Sequence, residues 1–338
     1  MAQNRNTTLD ILRLIASYCV VFIHVRFYGN IGNAVNALAR FAVPLFLVIS
    51  GFYGYKSAPE KIKSRIMSIL ALLGMAVVAY TAFDVLFLLI KQDYQGITQY
   101  FSQCVNFRNL RNLLVLNDPI HTEHLWYLFA IVYVYIIINL VTAFRLPEKL
   151  FFAICVILLL LHLLAAEGLA LLHIVITREY VRNFAFMGLP FFGMGMMVRK
   201  HVDKLRNVPN FVVAVSVVLG GAEILISQCL LGKQELYLGS LFLLFAIIVI
   251  FTKYPNGKYP QSVLALTGCS TYIYVFHPMV SDLLKEIYPY LRMNYHASVW
   301  LQMLHPLVVC IISTVLAWVI NKCLEKRKIN SRSNSVHQ

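Results

Sequence analysis

Apolar stretches of about 20 residues recur along the whole chain, which is the length that an α-helix needs to cross a bilayer. Charged residues make up only 13% of the sequence and apolar residues 59%, whereas soluble domains carry about 25% charged residues. In a lipid environment a helix satisfies all of its own backbone hydrogen bonds. These features predict an all-α, polytopic integral membrane protein with about ten transmembrane helices.

The predicted spans alternate with polar or basic segments. They cover approximately 9–28, 35–55, 66–90, 123–144, 150–168, 184–198, 210–231, 236–252, 262–286 and 298–321. Lys and Arg accumulate in cytoplasmic loops, and a cytoplasmic N-terminus places 18 of them in inside segments against eight outside. Both termini are therefore predicted to be cytoplasmic. Residues 1–322 would form one membrane-embedded domain, and 323–338 a basic, disordered cytoplasmic tail.

The net charge of +14 is explained by this topology and does not indicate nucleic-acid binding. No basic module of the kind that binds nucleic acid is recognisable. The seven cysteines are scattered without a CxxC pair, so neither a disulfide framework nor a zinc site is expected. His121 and Glu123 are residue types that bind metals, but nothing completes a tetrahedral set, and no metal is expected.

The first span, Leu9–Phe27, contains the ionisable residues Asp10, Arg13 and His24. Such residues are costly inside a span and usually face the protein interior or a watery cavity. Arg13 and His24 are 11 residues apart, so they project from one helix face about 16 Å apart. This spacing predicts a polar cavity lined by both. The alternative is an Arg that extends to the membrane surface and a His that contacts polar neighbours.

Further polar residues lie within or beside later spans. The candidates are Arg40 and Ser50 in the second span, Glu123, His124 and Trp126 at the start of the fourth, and Tyr272 and His277 in the ninth. Glu123 and His124 could equally belong to the interfacial belt of a membrane protein. A lone histidine in an apolar run, such as His277, is more often satisfied by a neighbouring hydroxyl than catalytic. The polar stretch 92–122 is a candidate substrate loop.

Pro44 and two small residues distinguish the second span. Proline lacks a backbone N–H, so Pro44 is expected to bend the helix. Ser50 and Gly51 are small enough to allow another helix to approach closely.

A basic segment with Lys61, Lys63 and Arg65 follows the second span. Cytoplasmic basic residues also attract anionic lipid headgroups, which is one explanation of this segment. The other is a docking site for a donor that carries phosphate groups.

Several motifs resemble, in order, those of the acyltransferase-3 family of bacterial integral membrane proteins. LDILRLIASYCVVFIH resembles the first-helix pattern, in which ten residues separate Arg and His. RFAVPLFLVISGF resembles the second-helix VPLFF-x-x-SG element, and EHLWYL, RNFAFMGLPFFGMG and STYIYVFHP resemble later segments. The resemblance extends from about residue 8 to 320. It departs at the R-x-x-R motif after the second span, where Arg65 matches the first position and Ser68 occupies the second.

The resemblance implies transfer of an acyl group, usually acetyl from acetyl-CoA, to a hydroxyl of an extracytoplasmic acceptor. Acceptors in the family include cell-envelope polysaccharides and lipid-linked sugars, and the location would be the bacterial cytoplasmic membrane. The donor phosphates would lie near Arg13 and the basic segment, and the thioester near His24. His24 would act as general base, because an imidazole titrates near neutral pH.

The candidates therefore fall into three expected roles. The catalytic group is His24, Arg13, Glu123 and His124, the donor-binding group is Arg13, Lys61, Lys63 and Arg65, and the substrate-binding group is Arg40, Ser50, Trp126, Tyr272 and His277. The oxyanion of a tetrahedral intermediate needs hydrogen-bond donors, which the substrate-binding group would supply. A covalent acyl-histidine intermediate is a variant of this mechanism.

Two other functions are compatible with the sequence. A transporter of an envelope precursor or small metabolite could line its path with the same polar face. Transporters often contain two related halves, and no internal repeat is found here. A scaffold or sensor in an envelope-assembly complex would not bind acyl-CoA.

Overall fold

The structure is a computed structural model that describes residues 6–174 and 176–336, with side chains through residue 326. In these ranges it consists of helices and connecting segments, without a β-strand. The α-helices are α1 (Thr7–His24), α2 (Gly29–Leu38), α3 (Ala42–Gly54), α4 (Pro59–Ile90), α5 (Tyr94–Cys104), α6 (Phe107–Arg111), α7 (Trp126–Ala143), α8 (Glu148–Leu163), α9 (Arg178–Val181), α10 (Leu189–Lys200), α11 (Val202–Arg206), α12 (Asn210–Leu231), α13 (Leu238–Lys253), α14 (Gln261–Leu266), α15 (Ser270–Ile287) and α16 (Val299–Val336). Shorter 3-10 turns are Ala39–Phe41, Glu123–Leu125, Thr267–Cys269 and Tyr288–Leu291, and π-helical turns are Asn112–Leu116, Leu164–Gly168 and Phe184–Gly188.

Eight helical segments of the described chain are long and apolar enough to cross a membrane. They are Thr7–His24, Gly29–Gly54, Pro59–Ile90, Glu123–Ala143, Glu148–Gly168, Asn210–Leu231, Gln261–Leu291 and Val299–Lys326. The predicted all-α, multi-pass architecture is thereby confirmed. The other two predicted spans, 184–198 and 236–252, fall on the shorter helices α10 and α13. The count of ten and the cytoplasmic position of the termini stay predictions.

Three segments outside the predicted spans are largely helical. The connection between the first two predicted spans, 29–34, belongs to α2, and the basic segment forms the first turns of α4, which begins at Pro59. Proline suits the first helical position because its φ is fixed and no N–H is needed there. The stretch 92–122 contains α5 and α6, because Asp93 and Asn106 each accept a hydrogen bond from the backbone of the following helix.

A 3-10 turn at Ala39–Phe41 interrupts the second span between α2 and α3. Pro44 cannot donate to the carbonyl of Arg40, four residues earlier, and its ring crowds that carbonyl. This break in the α-helical pattern lies just before Pro44, and the bend expected at Pro44 stays a prediction.

The chain forms two compact units, of which unit 1 comprises residues 1–42 and 254–338. Its apolar core contains Leu14, Val21, Val25, Cys269, Ile273, Val280, Val309, Cys310 and Ala317. Apart from Val25, which follows α1, these side chains lie on α1, α15, α16 and the turn before α15, so the three long helices pack around one core. The hydroxyls of Tyr18 and Thr314 are 2.9 Å apart and connect α1 to α16.

Unit 2 comprises residues 43–253, and in it α3 packs closely on α10. A Cβ atom added to Gly51 would lie 1.9 Å from the backbone oxygen of Phe192, and one added to Gly195 would lie 2.0 Å from that of Val48. The two backbones are therefore in direct contact, which glycine permits because it has no Cβ. The close helix approach predicted at Gly51 is confirmed.

The last helix of unit 1, α16, continues through residue 336 and thus into the predicted basic tail. The disorder expected for 323–338 stays a prediction, because the last turns of a helix can fray in solution.

Candidate functional site

His24 and His277 lie together in unit 1. His24 ends α1 and is exposed, whereas His277 in α15 is fully buried. The centroids of the two imidazole rings are 5.3 Å apart. Nδ1 of His277 lies 2.8 Å from the carbonyl oxygen of Tyr274. Because a carbonyl oxygen only accepts, Nδ1 carries a proton, and Nε2 is the nitrogen that can exchange one.

Asn36 and Arg40 hold the last turn of α1, which carries His24. The Asn36 amide donates to the carbonyl oxygens of Phe22, at 3.4 Å, and Ile23, at 2.8 Å. Nη2 of Arg40 donates to Oδ1 of Asn36 at 3.1 Å, and both side chains are buried. Carbonyls at a helix C-terminus lack partners within the helix, and a nearby cation is favourable there. The pair therefore fixes the position from which His24 projects.

Arg13 lies on the same unbroken helix as His24, so the predicted separation of about 16 Å holds in the structure. Hydrogen bonds connect the beginning of α1 to the segment that precedes α14. Thr8 Oγ1 donates to the carbonyl of Tyr254 and accepts from the Tyr259 hydroxyl, the latter at 3.0 Å. Since the start of α1 contacts this segment and its end contacts His277, α1 and α15 run in the same direction.

Tyr272 packs against the apolar core of unit 1 and is half-buried. This packing gives the Tyr272 ring a role in the core. Its role as a hydrogen-bond donor to the substrate stays a prediction.

Lys61, Lys63 and Arg65 lie on the first turns of α4 in unit 2. Both lysines are exposed. Arg65 Nη2 donates to the Tyr53 carbonyl at 2.9 Å, and the guanidinium lies 5.8 Å from the centre of the Tyr135 ring. Its Nη1 is buried and has no hydrogen-bond partner within the described part of the chain. A buried guanidinium nitrogen without an acceptor fits an anionic ligand such as a phosphate group.

Ser50 is oriented by its own helix, α3. Its hydroxyl donates to the Phe46 carbonyl at 2.8 Å and lies 3.5 Å from the Tyr127 hydroxyl. The rings of Phe46 and Tyr127 are also packed together, with centroids 5.9 Å apart. Ser50 and Tyr127 thus form a polar pair between α3 and α7, and Tyr127 was not among the sequence-based candidates.

Glu123 and His124 lie in the 3-10 turn that precedes α7 but have different surroundings. Glu123 is exposed and forms an ion pair with Arg178. His124 is buried, and its ring centroid lies 5.1 Å from that of Tyr80. Glu123 is engaged in this exposed ion pair, and the catalytic roles expected for both residues stay predictions.

Trp126 is part of a cluster with the buried Arg182 and the partly exposed Asp118. Arg182 is 7% exposed, and its guanidinium lies 5.6 Å from the Trp126 ring. Its Nη2 donates to Oδ1 of Asp118 at 3.4 Å. Burial raises the pKa of the Asp118 carboxyl, and the nearby Arg182 and Arg178 charges only partly oppose that rise. The sequence did not reveal this cluster, because its members come from separate segments.

We expect Asp118→Ala to destabilise the protein by about 3 kcal/mol, because it leaves the Arg182 charge buried without its carboxylate. The double variant Asp118→Ala/Arg182→Met removes both charges and is expected to recover more than half of that loss. Denaturant unfolding of the purified protein in detergent measures both effects.

The matched control for this cluster is Asp203→Ala, which removes the partner of Arg206 in an exposed pair. Its effect is expected to stay within about 0.5 kcal/mol. A double variant no more stable than Asp118→Ala would show that the cluster is not held by charge.

A family model for an acyltransferase domain matches residues 6–322, a range that contains every candidate residue described above. Neither the curated proteins nor the solved structures include a match to this chain. In the part of the chain that the structure describes, no three His, Cys, Asp or Glu side chains form a metal-binding group. The chain therefore belongs to the acyltransferase-3 family and is a multi-pass membrane acyltransferase.

Proposed function

We propose that this protein transfers an acetyl group from acetyl-CoA to a hydroxyl of a polysaccharide or lipid-linked sugar in the bacterial cell envelope. The arrangement of α1 carries the proposal. An accessible imidazole, His24, ends the helix beside His277, and Arg13 lies three turns earlier. A CoA thioester has phosphates at one end and its reactive carbonyl at the other. A helix with a cation near the cytoplasmic surface and a base towards the opposite surface suits such a donor.

His24 takes up the proton of the acceptor hydroxyl as the hydroxyl oxygen attacks the thioester carbonyl. The carbon–sulfur bond then breaks, and the leaving thiolate receives that proton from His24. The neighbouring His277 holds its Nδ1 proton on a carbonyl. Two imidazolium ions 5.3 Å apart would repel by about 3 kcal/mol at an effective dielectric constant of about 20. The pair therefore favours one positive charge at a time, which suits a base that must release its proton again.

Other residues support this step. The contact between Arg40 and Asn36 supports a positioning role for Arg40, since it holds the turn that carries His24. In unit 2, the hydroxyl of Ser50 and the indole of Trp126 are proposed donors to substrate. Glu123 and His124 are proposed to act on the acceptor side.

Charge and exposure support the proposed binding site for the donor. Arg13 belongs to unit 1, and Lys61, Lys63 and Arg65 belong to unit 2. The lysines are accessible to phosphate groups, and the buried Nη1 of Arg65 needs an acceptor. The predicted cytoplasmic position of the start of α4 supports this assignment.

Proteoliposomes supplied with acetyl-CoA carrying a labelled acetyl group, and with a bacterial envelope fraction as acceptor, test the proposal. Arg13→Gln is expected to raise KM for acetyl-CoA about 10- to 100-fold, because hydrogen bonds to charged groups contribute about 1.5–3 kcal/mol. The double variant Lys61→Gln/Lys63→Gln is expected to raise KM for acetyl-CoA less than Arg13→Gln does, because exposed charges are screened by water and salt.

Lys204→Gln removes an exposed lysine from α11 and serves as the control, with KM unchanged. If KM were unchanged in all variants, the donor assignment would be wrong. Movement of a solute across the membrane without labelled acceptor would instead support a transporter.

A further inference from the structure

A pocket of about 420 Å³ lies in unit 1 at the connection between α15 and α16. Its lining includes three basic side chains, Lys285, Arg292 and His296, and no acidic residue of the described chain. Lys285 also pairs with Asp282 at 3.3 Å. Exposed pairs on neighbouring turns are weak, so the ammonium remains available to a ligand. The charge of the lining therefore favours an anion.

Two tyrosines form an aromatic wall of this pocket. The rings of Tyr288 and Tyr295 are nearly parallel, with 12° between their planes and centroids 5.9 Å apart. The Tyr288 hydroxyl lies 2.7 Å from Nδ1 of the buried His305, whose Nε2 lies 3.0 Å from the Ser281 hydroxyl. The Tyr295 ring centroid is 5.0 Å from that of His305. These contacts fix the wall before any ligand binds.

The connecting segment is also held in place by hydrogen bonds. The Met293 N–H donates to the Tyr288 carbonyl at 2.9 Å, and Oδ1 of Asn294 accepts from the Ala297 N–H at 3.2 Å. The side-chain oxygen of Asn294, a residue of the pocket lining, is thus engaged, which leaves its NH2 group as the donor for a ligand. Arg292 has a positive φ of 58°.

The pocket lies farther along α15 than the histidine pair. Lys285 follows His277 by eight residues in the same helix, which is about 12 Å of additional rise. Because α1 and α15 run in the same direction, the pocket lies beyond the His24 end of α1, on the predicted extracytoplasmic side. It is therefore placed to hold a distant part of an acceptor whose hydroxyl reaches His24.

We infer that this pocket binds an anionic saccharide, as a segment of the acceptor, and this inference rests on the proposed function. A sugar ring has a C–H face that packs on an aromatic ring and hydroxyls that bond to amides. A carboxylate or phosphate on that sugar matches the basic lining. A lipid headgroup would use the cations alone and leave the tyrosine wall and Asn294 unexplained.

The test measures binding of two probes to the purified protein in detergent by calorimetry. One is an oligomer of galacturonic acid and the other is a galactose oligomer of equal length. Wild type is expected to bind the acidic oligomer at least about tenfold more tightly. Arg292→Gly is expected to reduce that affinity about tenfold or more and leave the weak binding of the neutral oligomer unchanged.

The matched control is Arg145→Gly, because Arg145 also has a positive φ, of 51°, and is exposed. Glycine suits this conformation, so neither variant is expected to lose stability. Equal affinity of Arg292→Gly and wild type for the acidic oligomer would overturn the inference. Binding to phosphatidylglycerol vesicles without binding to either oligomer would also overturn it, in favour of a lipid headgroup.

His24→Ala separates this inference from the proposed function. It removes the base but not the pocket, so its affinity for the acidic oligomer is expected to equal that of wild type. If wild type bound the acidic oligomer but transferred no acyl group, the proposed function would be contradicted and the pocket assignment would not. Acyl transfer with no preference for acidic saccharides would contradict the pocket alone.

Discussion

His24→Ala is expected to lower kcat for acyl transfer by about 100- to 10,000-fold, the usual contribution of a general base. The side chain is exposed at the end of α1, so its loss leaves the apolar core of unit 1 intact. Folding and membrane insertion are therefore expected to be unchanged. Transfer of labelled acetyl groups to the envelope fraction, together with the thermal unfolding curve, measures the two effects separately.

Two further variants sharpen this prediction. His201→Ala removes a half-exposed histidine from the end of α10 and is expected to have wild-type activity. Asn36→Ala keeps the base but frees the last turn of α1, so an intermediate loss of kcat is expected. Normal product formation by His24→Ala would exclude it as the base. Equal losses in His24→Ala and His201→Ala would indicate a general effect on the membrane protein.

The membrane architecture follows from the sequence because apolar length alone decides which segments can span a bilayer. The face shared by Arg13 and His24 follows from helical periodicity within one segment. In both cases the determining information is local. The same applies to the break near Pro44, whose missing N–H acts on its own helix.

The partners of these residues could not be predicted, because they depend on which segments pack together. Asn36 was absent from the sequence-based candidates, although it binds the end of α1 and the predicted Arg40. The pairing of Arg182 with Asp118 joins residues 64 positions apart. The stretch 92–122 resembled a loop because its helices are short and polar. Each of these helices begins at a single capping side chain, which is a weak signal in the sequence.

The second large effect is expected at the contact between α3 and α10. Gly195→Val is expected to leave little folded protein in detergent extracts, because its Cβ alone would lie 2.0 Å from the Val48 carbonyl oxygen. Backbone atoms on both sides of this contact belong to packed helices and cannot move independently. Gly195→Ala is expected to cost about 3 kcal/mol, the upper end of the usual range for overpacking. Gly51→Ala is expected to behave similarly, because it meets the Phe192 backbone.

The matched control is Gly74→Ala on α4, where an added Cβ would have no neighbour within 4 Å. Alanine favours a helix over glycine by about 1 kcal/mol, so this variant is expected to be slightly more stable than wild type. Gly195→Ala is thus expected to lower the stability and Gly74→Ala to raise it slightly. This difference distinguishes the effect of the helix contact from the effect of helix propensity. Wild-type stability of Gly195→Ala would mean that the two backbones do not touch. Because α3 also carries Ser50 beside Tyr127, any folded Gly195→Ala protein is expected to show lower acyl transfer as well.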